Sequence, residues 1–572
     1  MKRCPECSRD YTDQTLNFCL DDGAALLEGP ASINEPATAI LHATDAPIEA
    51  ATRAQLHTTD ATAIISSPSH APHGAMGQRD GRLIKAGLAL ILIVGTGIGA
   101  YFLSGRWSPR QIGSIAVMPF VNDSGNADFE YLSDGMTETL INSLSELPQL
   151  SVKARNLVFR YKGKDVDPKQ LATELGVQSV LNGRLVQRGD NITLSLDLVD
   201  AATGNQIWGE HYDRKVADIL TLQKEIARDV SNKLKTKLTG AQEENLAKGP
   251  TVNPEAYQLY LQGRYQWNQR TPESLRKAAD YFQAAIDKDP SYALAYVGLA
   301  DSYIVGDGFT ATESNPKAKT AALKALELDP TLGEAHAVLG NVAMYFEWDW
   351  TTSEREYKRA IELNPNYATA HHWYGESLAA VGRFDDSFAE YARAKELDPL
   401  SLPISSDLGL AYFFARDYDR AVDYLKKTVE LDPTFVRTHF YLIGVYEEKG
   451  MFGEAIDARQ RGLLLAGRNV EKVSSGMKRL SGALAASGPQ GYWKEALSLT
   501  LADADKGEPP NPVEVALLHA KLGENDKAFE WLEKGLRERR SGMIFLKVEP
   551  GWDSLRSDPR FADLQRRVGS PE

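Results

Sequence analysis

Four residues near the start of the chain have the types and spacing to hold a metal ion. Cys4 and Cys7 form a C-x2-C knuckle, Cys19 follows twelve residues later, and Asp22 comes three after that. A C-x2-C spacing lets two thiolates turn toward one ion. A third thiolate and a carboxylate oxygen would complete a tetrahedral zinc shell. Carboxylate is a harder ligand than thiolate, so the site should bind zinc less tightly than four cysteines would, and Asp21 could stand in for Asp22. A head of about 28 residues cannot bury a core of its own, so bound zinc would supply its folding energy. The alternative is a degenerate knuckle that binds nothing. The three cysteines are the only ones in the chain, so the remaining body carries no disulfide.

The rest of the sequence offers no catalytic constellation. It contains no Gly-rich phosphate loop, no H-E-x-x-H and no G-x-S-x-G. Gly95, Gly97 and Ala100 fit a loose G-x-G-x-x-A, but no strand precedes them and they fall within an apolar run, which excludes a dinucleotide loop. His57, His70 and His73 are too loosely spaced for a metal site. Asp123, Asp128, Glu130 and Asp134 cluster around one turn, where solvated, helix-starting carboxylates are expected. A net charge of −14 argues against general nucleic-acid binding. The chain is expected not to be an enzyme.

The element that must position the head is the stretch 86–105, AGLALILIVGTGIGAYFLSG, which is uncharged and bracketed by Lys85 and Arg106. Twenty helical residues span ~30 Å, the hydrocarbon thickness of a bilayer. A single transmembrane helix over 83–106 is therefore expected, with a zinc-ribbon-like head at 1–28 and a polar flexible linker at 29–82 between them. Gly95 and Gly99 make a G-x-x-x-G through which two such helices could pack into a homodimer. Arg79, Arg82 and Lys85 precede the span, against Arg106 and Arg110 after it. That bias, with the clustered thiols, favours a cytoplasmic head and a periplasmic body at a bacterial inner membrane.

Past the span, the run 112–120 reads as a buried strand ended by a turn. A helical stripe follows at Leu132, Met136, Leu140, Ile141 and Leu144. Residues 150–154 form a short strand, and Pro168 and Gly176 bracket a second helix. Strands at 177–187, 192–198 and 206–212 then form a meander, with a connecting helix in 215–253. The phrases IAVMPFVNDSGNADFEYLSDGMTETLINSLSELPQLSVKAR and LGVQSVLNGRLVQRGDNITLSLDLVDAATGNQIWGEHYDR resemble the TolB N-terminal-like family over 111–214. The resemblance implies a compact α/β domain that makes protein contacts and has no catalytic residues. Relatives often carry it beside a cyclase, a kinase or a winged-helix domain, a slot that the head and span fill here.

From Pro254 the chain repeats. The phrases AAIDKDP, KALELDP, RAIELNP, RAKELDP and TVELDP end at Pro290, Pro330, Pro365, Pro399 and Pro433. Their spacings of 40, 35, 34 and 34 follow the ~34-residue tetratricopeptide (TPR) period. Gly375, Tyr391 and Ala394, then Gly409, Ala421 and Leu425, fall on the small and bulky positions that let paired helices close. The similarity implies an α-solenoid over 254–540, about eight helical pairs in all, closed by a capping segment at 541–572. It also implies a protein or peptide partner on the concave face lined by the first helix of each pair. In the family's register that face includes Asn341, His372, Glu376, Phe413, Arg437 and Phe440, side chains expected to point outward with little role in packing. The fold class is therefore multidomain, α plus α/β. The expected function is a membrane-anchored, non-catalytic interaction scaffold, with transmembrane signalling to the zinc-ribbon head as the alternative.

Overall fold

The computed structural model describes residues 2–3, 10–11, 27–28, 112–147, 149–164, 166–234, 251–305, 311–504 and 509–569. The chain divides into two compact units, Met1–Trp107 and Ser108–Glu572. In the first unit the described residues form three two-residue strands: β1 (Lys2–Arg3), β2 (Asp10–Tyr11) and β3 (Leu27–Glu28). They pair antiparallel in the order β2-β1-β3. Cys4, Cys7, Cys19 and Asp22 lie outside the described residues, as do the span and its Gly95 and Gly99. Among the described residues no helix is long and apolar enough to cross a membrane.

The second unit opens with a mixed sheet. β4 (Ser114–Val117) lies between β6 (Ser151–Val152) and β7 (Ser179–Arg188), parallel to both, and β5 (Val121–Asn122) continues along β7. β8 (Asn191–Asp200) and β9 (Gln206–Lys215) extend it antiparallel. Ile192, Leu194, Leu196 and Leu198 alternate into the core at 0–1 % exposure, as the period-two pattern predicts. Gly183 in β7 leaves room for the Phe120 ring, which a Cβ there would approach to 2.2 Å. The helices are α1 (Glu130–Ser145), α2 (Arg155–Phe159), α3 (Pro168–Leu175) and α4 (Ile219–Lys233). α3 starts on an Asp167 cap with Pro168 first and stops at Gly176, φ 61°. α4 differs from the expected connector: Ile219, Leu222, Ile226 and Val230 are 0–2 % exposed in the domain core. The acidic turn also differs from a solvated loop. Asp134 is 5 % exposed and accepts from Lys162 at 2.6 Å, and Asp123 pairs with Arg184 at 2.5 Å.

The array follows as antiparallel pairs. They are α5/α6 (Pro254–Asn268, Pro272–Lys288), α7/α8 (Ala293–Val305, Ala311–Leu328) and α9/α10 (Gly333–Val342, Trp350–Leu363). Next come α11/α12 (Ala368–Ala380, Phe384–Leu397), α13/α14 (Leu402–Phe414, Tyr418–Leu431) and α15/α16 (Val436–Glu448, Phe452–Leu465). α17 (Val470–Ala504) is two helices broken at Gly488, and α18/α19 (Pro512–Lys521, Asn525–Arg537) precede α20 (Pro559–Arg567). The repeat chemistry is as expected. A Cβ on Gly375 would stand 3.0 Å from the Tyr391 ring, and one on Gly409 would stand 2.8 Å from Leu425. The pairs close at their glycines because a large side chain of the second helix fills that space. Ser314 lies within α8 and is 6 % exposed.

The α/β domain and the first repeats share one hydrophobic core, in which α1 packs on α5. A Cβ on Gly135 would meet Leu261 at 2.8 Å. The closing segment does more than cap the last pair. It returns to the middle repeats, where Phe545 packs on Phe414 with ring centroids 4.8 Å apart. There Trp350 Nε1 donates to the Val568 carbonyl at 3.0 Å, and Arg416 pairs with Asp553 at 2.7 Å.

Candidate functional site

In a helical-pair array the first helices stand side by side and form one continuous face. Here α7, α9, α11, α13 and α15 are neighbours in that order. Their inward stripe is unusually charged. Asp301 comes from α7, Glu334 from α9, His372 and Glu376 from α11, Asp407 from α13, and Arg437 with Tyr441 from α15. The π-helical turn Ala343–Glu347 after α9 adds Tyr345.

Asp407 is the centre of this stripe, 3 % exposed. His372 Nε2 lies 2.9 Å from its Oδ2, Arg437 lies 3.3 Å from the same oxygen, and the Tyr441 hydroxyl donates to Oδ1 at 3.0 Å. Burial alone would raise the Asp407 carboxyl, but the Arg437 charge and the His372 and Tyr441 bonds hold it below the usual range. Glu376 behaves oppositely. Burial and then the neighbouring Asp407 charge push it up to about 7, although the Tyr345 hydroxyl donates to its Oε1 at 2.5 Å. Arg437 keeps 52 % of its side chain exposed. The stripe is thus open to water at Arg437 and buried beneath it at Asp407.

The α/β domain borders the stripe at its first-repeat end. Glu138 of α1, 4 % exposed, accepts from Arg264 Nε at 2.7 Å and from Asn268 at 2.7 Å, with Arg155 3.0 Å away. Arg264 also lies 3.6 Å from Asp301. Asn366, in the turn before α11, donates to the carbonyls of Ser145 and Leu150 at 3.1 and 3.2 Å. Glu146, next after α1, then faces Glu334 and Asp329. Desolvation at the joint and then those two like charges shift its carboxyl upward, although the residue keeps an exposed side.

The six residues read from the register are not one outward surface. Glu376 and Arg437 stand in the stripe as expected. His372 joins it but is buried, 6 % exposed. Asn341, 6 % exposed, turns toward Tyr357 of its own pair, and Phe413, 4 % exposed, packs among Phe414 and Tyr418. For these three the expectation of a small role in packing is wrong, because helix stacking encloses them. Phe440 is 40 % exposed but leans on Gly462 of α16 rather than joining the cluster. The register missed Asp407, Tyr441 and Tyr345. Asp407 stands one residue after Ser406, and Tyr441 one residue after the expected Phe440. Ser406 itself is fully buried and accepts from Thr438 at 3.1 Å. The signal that could have found them is an acid, a tyrosine and an arginine within reach on successive helices.

Comparison with known proteins bears on both halves of this unit. Residues 110–229 match the HilA/YgeH-like transcriptional regulator second domain, and 349–401 and 406–466 match the tetratricopeptide repeat. A putative adenylate cyclase 3 of Rhizobium meliloti (strain 1021) is 35 % identical over 248 residues, covering 43 % of this chain and 42 % of that protein. The transcriptional regulator HilA of Salmonella typhimurium is 21 % identical over 295 residues, covering 50 % of this chain and 51 % of HilA. The chain therefore spans about half or less of the length of these relatives. Among solved structures, the TPR protein YrrB, described as having an unusual peptide-binding site, is 24 % identical with a TM-score of 0.23, covering 32 % of this chain and 89 % of YrrB. The class that these matches and the fold define is a TPR protein. This one carries a HilA-like regulator domain ahead of its repeats, and its relatives include proteins named as transcriptional regulators and a putative adenylate cyclase.

Proposed function

We propose that the protein is a single-pass, membrane-anchored, non-catalytic interaction scaffold whose body captures a protein or peptide on the first-helix face. The observation that carries this is the stripe from Glu334 to Arg437: charged, partly exposed, and supported by buried bonds that fix its shape. The apolar run 83–106 supplies the anchor, with the head cytoplasmic and the body in a bacterial periplasm. Cys4, Cys7, Cys19 and Asp22 would hold a structural zinc ion, and Gly95 with Gly99 would pair two copies. The TolB N-terminal-like resemblance of 111–214 fits a domain that makes protein contacts.

A second reading is favoured by the relatives. Domains like this one occur in proteins named as regulators, so partner binding in the body could be passed to the zinc-ribbon head as a signal. The two readings separate on whether an occupied array changes the accessibility or pairing state of the head.

The test combines topology and binding. Because all native cysteines lie in the head, an impermeant maleimide should leave intact cells unlabelled. Ala202→Cys, in the exposed turn between β8 and β9, should label once the outer layer is permeable. The buried Ser314 is unsuited to this experiment. Partner recovered by the full chain should be lost with Arg437→Ala. Labelling of the head in intact cells would invert the topology, and undiminished recovery by Arg437→Ala would remove the face from consideration.

A further inference from the structure

We propose that the first-helix face docks a basic peptide segment, with one cationic side chain on Glu334 and another on Glu376. This rests on reading the array as the partner-binding body, and it adds the chemistry of the partner. Four consecutive first helices each bring one carboxylate to the stripe: Asp301, Glu334, Glu376 and Asp407. The outer two are matched from within the protein. Arg264 lies 3.6 Å from Asp301, and Arg437 and His372 lie 3.3 and 2.9 Å from Asp407. The inner two feel Arg264 and Arg437 only from a distance and form no ion pair of their own. Glu376 takes its hydrogen bond from a neutral tyrosine, and among the described residues no cation stands within ion-pair distance of Glu376 or Glu334.

The imbalance is reinforced at the domain border, where Glu146 faces Glu334. Carboxylates gathered on one face raise one another's energy, and a cation entering between them relieves it. An acidic segment would add to the repulsion, and an apolar one would strand the carboxylates away from water. The first-helix face also has the right length for a peptide. Five neighbouring helices at about 8–10 Å spacing run for about 30–40 Å, and an extended strand of about ten to twelve residues covers that distance. Arg437 closes the far end, where a backbone carbonyl of the segment can accept from its half-exposed guanidinium.

The full chain in mild detergent would be titrated with three pools of fluorescent twelve-residue peptides, mixed in sequence except for two fixed Lys, two fixed Gln or two fixed Glu. The lysine pool should bind tightest, and its affinity should fall steeply as salt is raised. Glu334→Gln and Glu376→Gln keep side-chain shape, and Glu376→Gln keeps the Tyr345 bond. Each should weaken the lysine pool about five- to tenfold and leave the glutamine pool unchanged. A glutamine pool that binds as tightly as the lysine pool, or a lysine pool indifferent to both substitutions, would overturn the charge assignment and leave the binding face standing. Preferred binding of the glutamate pool would overturn it in favour of Arg437 as the anchor. Silence from all three pools would overturn both the charge assignment and the face. Competition by spermine equal to that of the lysine peptides would replace the peptide by a small polycation.

Discussion

The joint between the α/β domain and the array depends on Glu138, and removing its two sides should have unequal effects. Arg264→Met takes away two charge-assisted bonds to Glu138, but the carboxylate keeps Asn268 at 2.7 Å and Arg155 at 3.0 Å. The methionine gives up the guanidinium contact with the Trp267 ring, 4.3 Å from Cζ to the ring centre, while Asp301 keeps the nearby Arg270 charge. The expected cost is about 1.5–3 kcal/mol, the range for bonds to a charged group. Glu138→Met is worse. It leaves Arg264 and Arg155, 15 % and 19 % exposed, facing each other, with Asp301 at 3.6 Å from Arg264 and the more distant Asp134 near Arg155 to answer them. An uncompensated buried charge costs about 3–5 kcal/mol. In the double variant Arg264 is gone, so its cost should fall below the sum of the singles by about 1.5 kcal/mol or more. The whole unit is too large to assume two-state unfolding, so the assay is amide hydrogen exchange in α1 and α5, which reads the free energy of local opening. Burial would raise the Glu138 carboxyl, but Arg264 and Arg155 hold it below the usual 4.5. The stability it contributes is therefore present above that value and is lost as pH falls through the folded one. Equal costs for the two single variants, or strictly additive costs, would refute this account of the joint.

Other expectations follow from the array and the head. Phe413→Ala should lower local stability by about 3–5 kcal/mol because the ring is enclosed, whereas Phe440→Ala, at 40 % exposure, should change it by less than about 1 kcal/mol; amide hydrogen exchange in α13 and α15 decides this. Glu376 is raised to about 7 by burial and then by Asp407, so the native state keeps a proton that the unfolded chain loses from about pH 4.5 upward. Stability should therefore decline as pH rises through that window, and Glu376→Gln should flatten the decline by about 1–2 kcal/mol after allowing for solvent screening. Denaturant midpoints at pH 5 and pH 8 would show no difference between wild type and variant if the reasoning fails. In the head, a peptide of residues 1–28 should take up about one zinc and gain NMR dispersion, with both lost on Cys19→Ser.

Much of the scaffold was legible because its rules are local. The alternation of Ile192, Leu194, Leu196 and Leu198 fixes a strand and its buried face, and Pro168 and Gly176 bracket a helix at the expected residues. The 34-residue recurrence, with glycine opposite tyrosine or leucine, dictates the helical pairs. What sequence did not reveal depends on how elements stack. α4 looks like a polar connector until the sheet is seen to offer its stripe of Ile219, Leu222, Ile226 and Val230 a place to bury. The return of Phe545 to Phe414 joins residues more than a hundred apart, and no periodicity encodes it.

The functional stripe shows the same limit more sharply. A register counted from the repeat prolines fixes which quarter of a helix faces inward, but one residue is a rotation of about 100°. That step separates Ser406, fully buried, from Asp407, on which three neighbouring side chains converge. It also turns His372, Phe413 and Asn341 from presumed anchors into packed residues. The distinction matters because a buried group acts on a partner only by shaping what remains exposed. His372 spends its bond on Asp407, and Asp407 in turn holds Arg437 and Tyr441. Glu376 is left with a neutral donor and an open side. The chemistry offered to a partner is set by the charges the protein leaves unanswered, and these follow from the pairing among helices rather than from any one repeat.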